Sequence, residues 1–217
     1  MRTRNAVIAA VSIAAAAGLG GFTLAHNTGQ NSGNQNQNQE QPGQNTPPEG
    51  MTQEQMMQAW AAANAPNEHH EWLAQLEGEW NLEIVSLNPD MPMESTGTET
   101  CKLIAGGRFL HGTVKADMMG QPFSGVSIIG YNNAARQFET IWYDDMSTGL
   151  YFYKGNREGN TVTFKGDATD PMTGEPFTVK MVMNIPGKDR FVLEDEWIAE
   201  DGSVTPGVRI TGTRAGD

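Results

Sequence analysis

Between Gly78 and Arg214 the chain is divided by seven clusters of turn-forming residues, with no helical pattern in between. They are Asn88-Pro89-Asp90, Met119-Gly120-Gln121-Pro122, Asn132-Asn133, Glu158-Gly159-Asn160, Asp170-Pro171-Met172-Thr173-Gly174, Pro186-Gly187 and Asp201-Gly202. Gly admits positive φ, Pro presets φ, and Asn or Asp bonds its own backbone, so each cluster reverses the chain. The runs between them are rich in Val, Ile, Thr, Phe, Tyr and Trp and recur every 8–14 residues or so, the spacing of an antiparallel meander. Ten strands are expected: Trp80–Leu87, Ser95–Ile104, Arg108–Ala116, Phe123–Tyr131, Gln137–Asp144, Gly149–Lys154, Thr161–Ala168, Phe177–Ile185, Arg190–Ala199 and Val204–Thr213. Such a sheet escapes exposed edges by closing on itself, which predicts an all-β, up-and-down antiparallel barrel. A closed sheet of more than eight strands has interior volume to spare.

Alternation fixes which residues share a face. Phe138, Thr140, Trp142 and Asp144 lie on one side of their strand, with Glu139, Ile141 and Tyr143 on the other. Val179, Met181, Met183 and Ile185 form an apolar face opposite Thr178, Lys180 and Asn184. Two short helices precede the strands. Thr52 and Gln55 form a capping box for a helix over 51–66 that carries Met56, Met57 and Trp60, a stripe expected to pack against the domain. Asn67 caps a second helix with Trp72, Leu73 and Leu76 on one face, ended by Gly78 and placed to plug one end of the barrel. The barrel domain is assigned to 67–217.

The first 50 residues read differently. Arg2 and Arg4 precede an uncharged apolar run over 6–25, a secretion signal with a cleavage point after Thr23-Leu24-Ala25, or an uncleaved anchor, since about 20 apolar residues span a bilayer. Either form exports the domain to the periplasm or beyond. Residues 26–50 are dominated by Asn, Gln, Gly and Pro and have little apolar surface to bury, which predicts a disordered tether. Asp and Glu outnumber Lys and Arg by 26 to 14, for a net charge of -12. Nucleic acid and anionic lipid reward dense basic patches and are not expected partners. Cys101 is the single cysteine, so no intrachain disulfide forms, and its setting among Thr100, Lys102, Leu103 and Ile104 predicts a buried strand residue.

No catalytic signature is present: neither Gly-x-Ser-x-Gly nor His-Glu-x-x-His, and no phosphate-binding glycine loop. His69 and His70 are adjacent on a helix and point apart, so they do not clamp one metal. His111 could face the interior and offer one axial ligand to haem, although a lone strand histidine is more often simply hydrogen-bonded. Asp167 and Asp170 lack the further oxygens calcium requires. Trp142, Asp144, Ser147 and Gly149 form the densest polar and aromatic cluster, a pocket wall in which Asp144 either anchors a ligand or bonds its own turn. Of Glu194, Asp195 and Glu196, alternation lets only Glu194 and Glu196 act together.

The chain resembles a family of uncharacterised exported bacterial proteins, domain-of-unknown-function family 1579. The resemblance is carried by His70-Glu71-Trp72-Leu73, Gly78-Glu79-Trp80, Ile104-Ala105-Gly106-Gly107-Arg108-Phe109-Leu110, Gly120-Gln121-Pro122-Phe123, Gly130-Tyr131-Asn132, Trp142-Tyr143-Asp144, Ser147-Thr148-Gly149, Asp170-Pro171-Met172-Thr173-Gly174 and Arg214. The chain departs from the family at Asn132, often Asp, and at Gly212, where an aromatic is common. The family resembles the calycins, barrels related to lipocalins and fatty-acid-binding proteins, and it implies a fold and a compartment without an activity. Gly78-x-Trp80 also resembles the lipocalin signature, in which a basic residue of the last strand covers the early tryptophan; here that residue is Arg214, a structural role.

The expectation is therefore a non-enzymatic, lipocalin-like barrel that binds a small apolar or amphipathic ligand outside the cytoplasm, with Trp142, Asp144, Phe138, His111 and Phe152 as wall residues. Two other readings stand beside it: a hydrolase or isomerase acting on a small lipid or saccharide through Asp144 or the Glu194/Glu196 pair, and an envelope interaction module without a ligand. No catalytic residue, metal or cofactor is assigned, and residues 6–25 are a possible membrane tether.

Overall fold

The computed structural model describes residues 50–216. The signal or anchor segment and, but for Gly50, the tether lie outside them. Two units are distinguished, and the first ends at Ala65. It contains helix α1, Gln53–Ala63, whose N-cap Thr52 forms the capping box with Gln55. None of the residues of α1 is buried, and Trp60 is 72% exposed.

The second unit begins at Pro66 and holds helix α2 and the sheet. Helix α2, Glu68–Ala74, is capped by Asn67, whose side chain accepts the His69 N–H, while His70 Nδ1 accepts the Asn67 N–H at 3.0 Å. The helix stops at Ala74, earlier than Gly78, which instead opens the first strand at φ +128°. Ten strands follow: β1 Gly78–Ser86, β2 Glu94–Ile104, β3 Phe109–Met118, β4 Gln121–Asn132, β5 Gln137–Asp144, β6 Tyr151–Glu158, β7 Thr161–Thr169, β8 Pro176–Gly187, β9 Arg190–Ala199 and β10 Val204–Arg214. Each pairs antiparallel with its sequence neighbour, and β1 pairs with β10, from Trp80↔Arg214 to Ser86↔Val208. The sheet is a closed barrel without an edge.

Burial follows the pleat. Trp80, Leu82 and Ile84 of β1, Leu110 and Val114 of β3, Val162 and Phe164 of β7 and Val179, Met183 and Ile185 of β8 all face inward and are buried. Registers shift between Asn184 and Gly187 on β8 and between Pro206 and Arg209 on β10. These irregularities bend their strands, as closure of a barrel requires.

One end of the barrel is packed solid. Trp72, Leu73 and Leu76 descend from α2 and its C-terminal turn onto Phe138 and Trp80. The Phe138 ring meets Trp72 edge-on at 5.4 Å and Tyr131 at 5.0 Å. Trp80 donates its indole N–H to the Leu76 carbonyl at 2.8 Å and meets Phe191 at 5.0 Å. Over its other face lies the Arg214 guanidinium, 4.3 Å from the ring centroid, an attraction worth roughly 0.5–2 kcal/mol. Arg214 also donates to the carbonyls of Gln75, Glu77 and Lys188, so one side chain ties the last strand to the helix-to-strand turn and to the β8–β9 turn. Gly78 passes close beneath it; a Cβ there would meet Arg214 Nη1 at 2.6 Å.

Candidate functional site

Above the packed end the barrel interior opens into a cavity of about 110 Å³. Leu76, Leu82 and Phe191 line its lower side. Its walls are apolar over most of their area, with Val114 of β3, Ile129 of β4, Val179 and Met181 of β8, Leu193 of β9 and Ile210 of β10. Among them stand the polar side chains of Glu99, Ser127, Thr140, Tyr153 and Asp195, with the indole of Trp142. No basic side chain among the described residues lines the cavity.

The two carboxyls are the unusual feature, because Asp and Glu are rarely enclosed without a cationic partner. Glu99 sits on β2 opposite Trp80 and Val114. Asp195 sits on β9 opposite Met181. Each occupies a niche made by a glycine: a Cβ on Gly112 would collide with Glu99 Oε1 and Ser127 Oγ, and one on Gly207 with Asp195 Oδ1. Burial lifts both acids to about 7, since loss of water disfavours the charged form. The Cys101 thiol, bonded to Glu99, opposes this shift weakly, and the Val208 N–H does the same for Asp195, to which it donates at 2.6 Å. Near neutral pH each carboxyl is therefore poised between acid and anion. Burial and the neighbouring Asp195 together raise the Tyr153 phenol, which stays a neutral donor. Burial, then Glu99, likewise raise the Cys101 thiol, which is no nucleophile here.

The residues expected to form the wall separate. Trp142 lines the cavity. Phe138 points inward as expected but is fully buried below the cavity, inside the aromatic packing under α2. Asp144 shares their face at the rim, where its two oxygens accept from Trp142 Nε1 at 2.8 Å and from the Met146 N–H at 2.9 Å. It therefore holds its own turn and fixes the indole. His111 and Phe152 correct the expectation outright. His111 pairs with Lys102 and Ile128 on the outer face, between the inward Leu110 and Gly112, so it offers no interior ligand to haem. Phe152 is 44% exposed, between the inward Tyr151 and Tyr153.

The Glu194/Glu196 pair also lies outside. Glu194 bonds Arg209, and Glu196 bonds Lys180 at 2.8 Å. Asp195 between them is the inward acid. Its signal was available in Phe191, Leu193, Asp195 and Trp197, an apolar stripe interrupted by one carboxylate. Glu99 had a weaker signal: alternation puts it on the face of Cys101 and Leu103, but the Thr-rich stretch around it has little apolar contrast. Among the described residues no group of three or more His, Cys, Asp or Glu is arranged to hold a metal ion.

Both family departures have a physical reading. Asn132 Oδ1 accepts the N–H groups of Ala134 and Ala135, which the oxygen of an Asp would do equally. Gly212 faces the Phe191 ring, which occupies the space a side chain at 212 would need.

No curated protein matches the chain. Among solved structures, the crystal structure of Rv2717c from M. tuberculosis is similar with a TM-score of 0.51 at 15% identity, over 70% of this chain and 100% of that one, a likeness of fold. A redesigned β-barrel is similar at 15% identity over 66% of this chain and 94% of that one, with a TM-score of 0.37. A family model described as a protein of unknown function, DUF1579, matches residues 65–214.

Proposed function

This chain belongs to the DUF1579 family, and from that premise we propose that its barrel is a carrier or sensor of one small, largely apolar molecule held in the central cavity. The observation behind the reading is that cavity: about 110 Å³, mostly apolar, with a few polar groups directed into it. Ligand sites combine those two characters. Their usual volume is roughly 300–1,000 Å³, whereas a cavity of about 150 Å³ takes benzene or xenon. The occupant is therefore on the scale of a few carbons, and the fatty acids, retinoids and haem that larger barrels hold exceed the space. The amphipathic part of the reading rests on Glu99, Thr140, Tyr153 and Asp195, which offer hydrogen bonds to one polar group.

The test is an NMR titration of the full-length chain with benzene and with isobutanol. Shifts confined to Thr140, Val179, Met181 and their neighbours are expected, and they should vanish in Ser127→Leu, which fills the cavity with added carbons. The reading is overturned by a wild-type protein whose cavity resonances stay still, or by a filled variant that responds unchanged. We place the binding outside the cytoplasm, on the evidence of Arg2, Arg4 and the apolar run over 6–25. Fractionation of cells expressing the full chain should find it in the envelope or medium, and recovery in the cytosol would refute that part.

A further inference from the structure

The cavity combines two features that do not ordinarily coexist: acidic side chains turned into the barrel interior, and, among the described residues, no base lining it to neutralise them. Glu99 is the clearer case. It sits in the glycine niche of Gly112, is part-buried and lines the cavity. Among the described residues the recorded partner of its carboxyl is the weakly donating Cys101 thiol. Asp195 accepts from the Val208 N–H at 2.6 Å, and its own N–H and the Trp197 indole also favour its anion, but none of these donors carries a charge. Buried anions in proteins are paired, and here no cationic side chain among the described residues lines the cavity while room for a partner is present.

We infer that the cavity selects a small monocation, a protonated primary amine on a compact branched hydrocarbon, with Glu99 as its counter-ion and Asp195 as a second acceptor across the lumen. The inference rests on the carrier reading above and adds the charge of the ligand to it. The hydrocarbon would lie against Val114, Val179, Met181, Leu193 and Ile210. The ammonium has three donors, and Glu99, Ser127 and Asp195 present oxygen acceptors to the same space. A neutral isostere finds the same apolar wall but leaves the carboxylate unpaired. A carboxylate ligand meets two acids and is excluded.

Proton linkage follows from the same groups. Both acids are raised to about 7, so an ammonium that pairs with the anion displaces a proton, and binding strengthens as pH rises through that region. Of the other ionisable groups near them, Cys101 beside Glu99 and Tyr153 beside Asp195, with Tyr151 behind it, are raised by burial and stay neutral, and Asp144 lies beyond the cavity lining. Arg214 acts on Cys101 from the packed end. The inward residues of β1, β3, β8 and β10 at the cavity, Leu82, Val114, Met181 and Ile210 among them, carry no charge.

The test compares isobutylamine with isobutanol on the full-length chain by NMR titration between pH 6 and 8. The amine should bind at least tenfold tighter than the alcohol at pH 8, and its affinity should fall about tenfold at pH 6, where a carboxyl of pKa about 7 is mostly protonated. Glu99→Gln should remove most of the preference for the amine and reduce its pH dependence, leaving the share that belongs to Asp195. Equal, pH-independent binding of both overturns the amine inference and leaves the carrier reading standing. Binding of neither overturns both. An amine affinity unchanged in Glu99→Gln removes Glu99 from the role, and the wild-type pH profile decides the inference without any variant.

Discussion

The packed end of the barrel and its central cavity are built from the same ten strands, yet they use buried polar groups in opposite ways. At the packed end, Arg214 donates to the carbonyls of Gln75, Glu77 and Lys188 and covers the Trp80 ring, whose N–H is in turn bonded to Leu76. Such mutual constraint rigidifies the closure. In the cavity, Glu99 and Asp195 are enclosed without a cation and the space beside them is left open. An acid held this way costs stability when ionised. The contrast indicates that the two regions answer to different demands: one keeps the cylinder shut, the other keeps an unmet need available.

Four measurements break or sharpen that contrast, the largest effect first. Trp80→Ala removes a ring that is almost wholly buried and should cost about 3–5 kcal/mol in chemical denaturation. A loss below about 1 kcal/mol would show that the packed end does not hold the barrel closed. The second measurement concerns pH. Both interior acids have folded pKa values above their unfolded ones, 4.5 and 3.8 rising to about 7, so the folded state binds more protons between those limits. Stability should therefore be highest at the acid side of that window and fall as pH rises from about 4 to about 7, by on the order of 3 kcal/mol for each acid, and then level off. Glu99→Gln and Asp195→Asn should each remove part of the slope. A flat profile would mean that water reaches the carboxyls.

Arg214→Ala should cost about 2 kcal/mol, because it unties three carbonyls and uncovers Trp80. Arg214→Lys should recover only part of it, since a single ammonium cannot match the forked guanidinium. The smallest effect is expected on the outer face. Glu196→Gln, which breaks a half-exposed pair with Lys180, should change stability by less than about 1 kcal/mol and leave the pH slope of the interior acids intact.

The sequence made the strands legible because its turns are local chemistry: a Pro-Gly or an Asp-Gly reverses the chain wherever it falls. The inward face of β5, and with it Trp142, was legible for the same reason, from alternation within one strand. What failed was parity carried from one strand to the next. Phe152 has the residue type of a wall and an expected inward face, but the β5–β6 turn pairs Trp142 with Tyr151, which turns Phe152 outward. His111 was placed inward although Leu110 and Val114 make the apolar face of its strand. A one-residue slip inverts such a list. The face of Glu99 follows from alternation with Cys101, but the room for its carboxyl does not, because that room is left by Gly112 on the neighbouring strand, opposite Cys101, and is fixed only when the sheet assembles.

An even strand count has a topological consequence of its own. Trp80 near the start of β1 faces Arg214 at the end of β10, so the polypeptide enters and leaves the cylinder on one rim. Bridging residue 215 to residue 66 with a short linker and reopening the chain at the Asp170–Glu175 turn would give a circular permutant that retains every ladder. Its new ends would emerge from the opposite rim, where a reporter could be attached without disturbing the helical stopper.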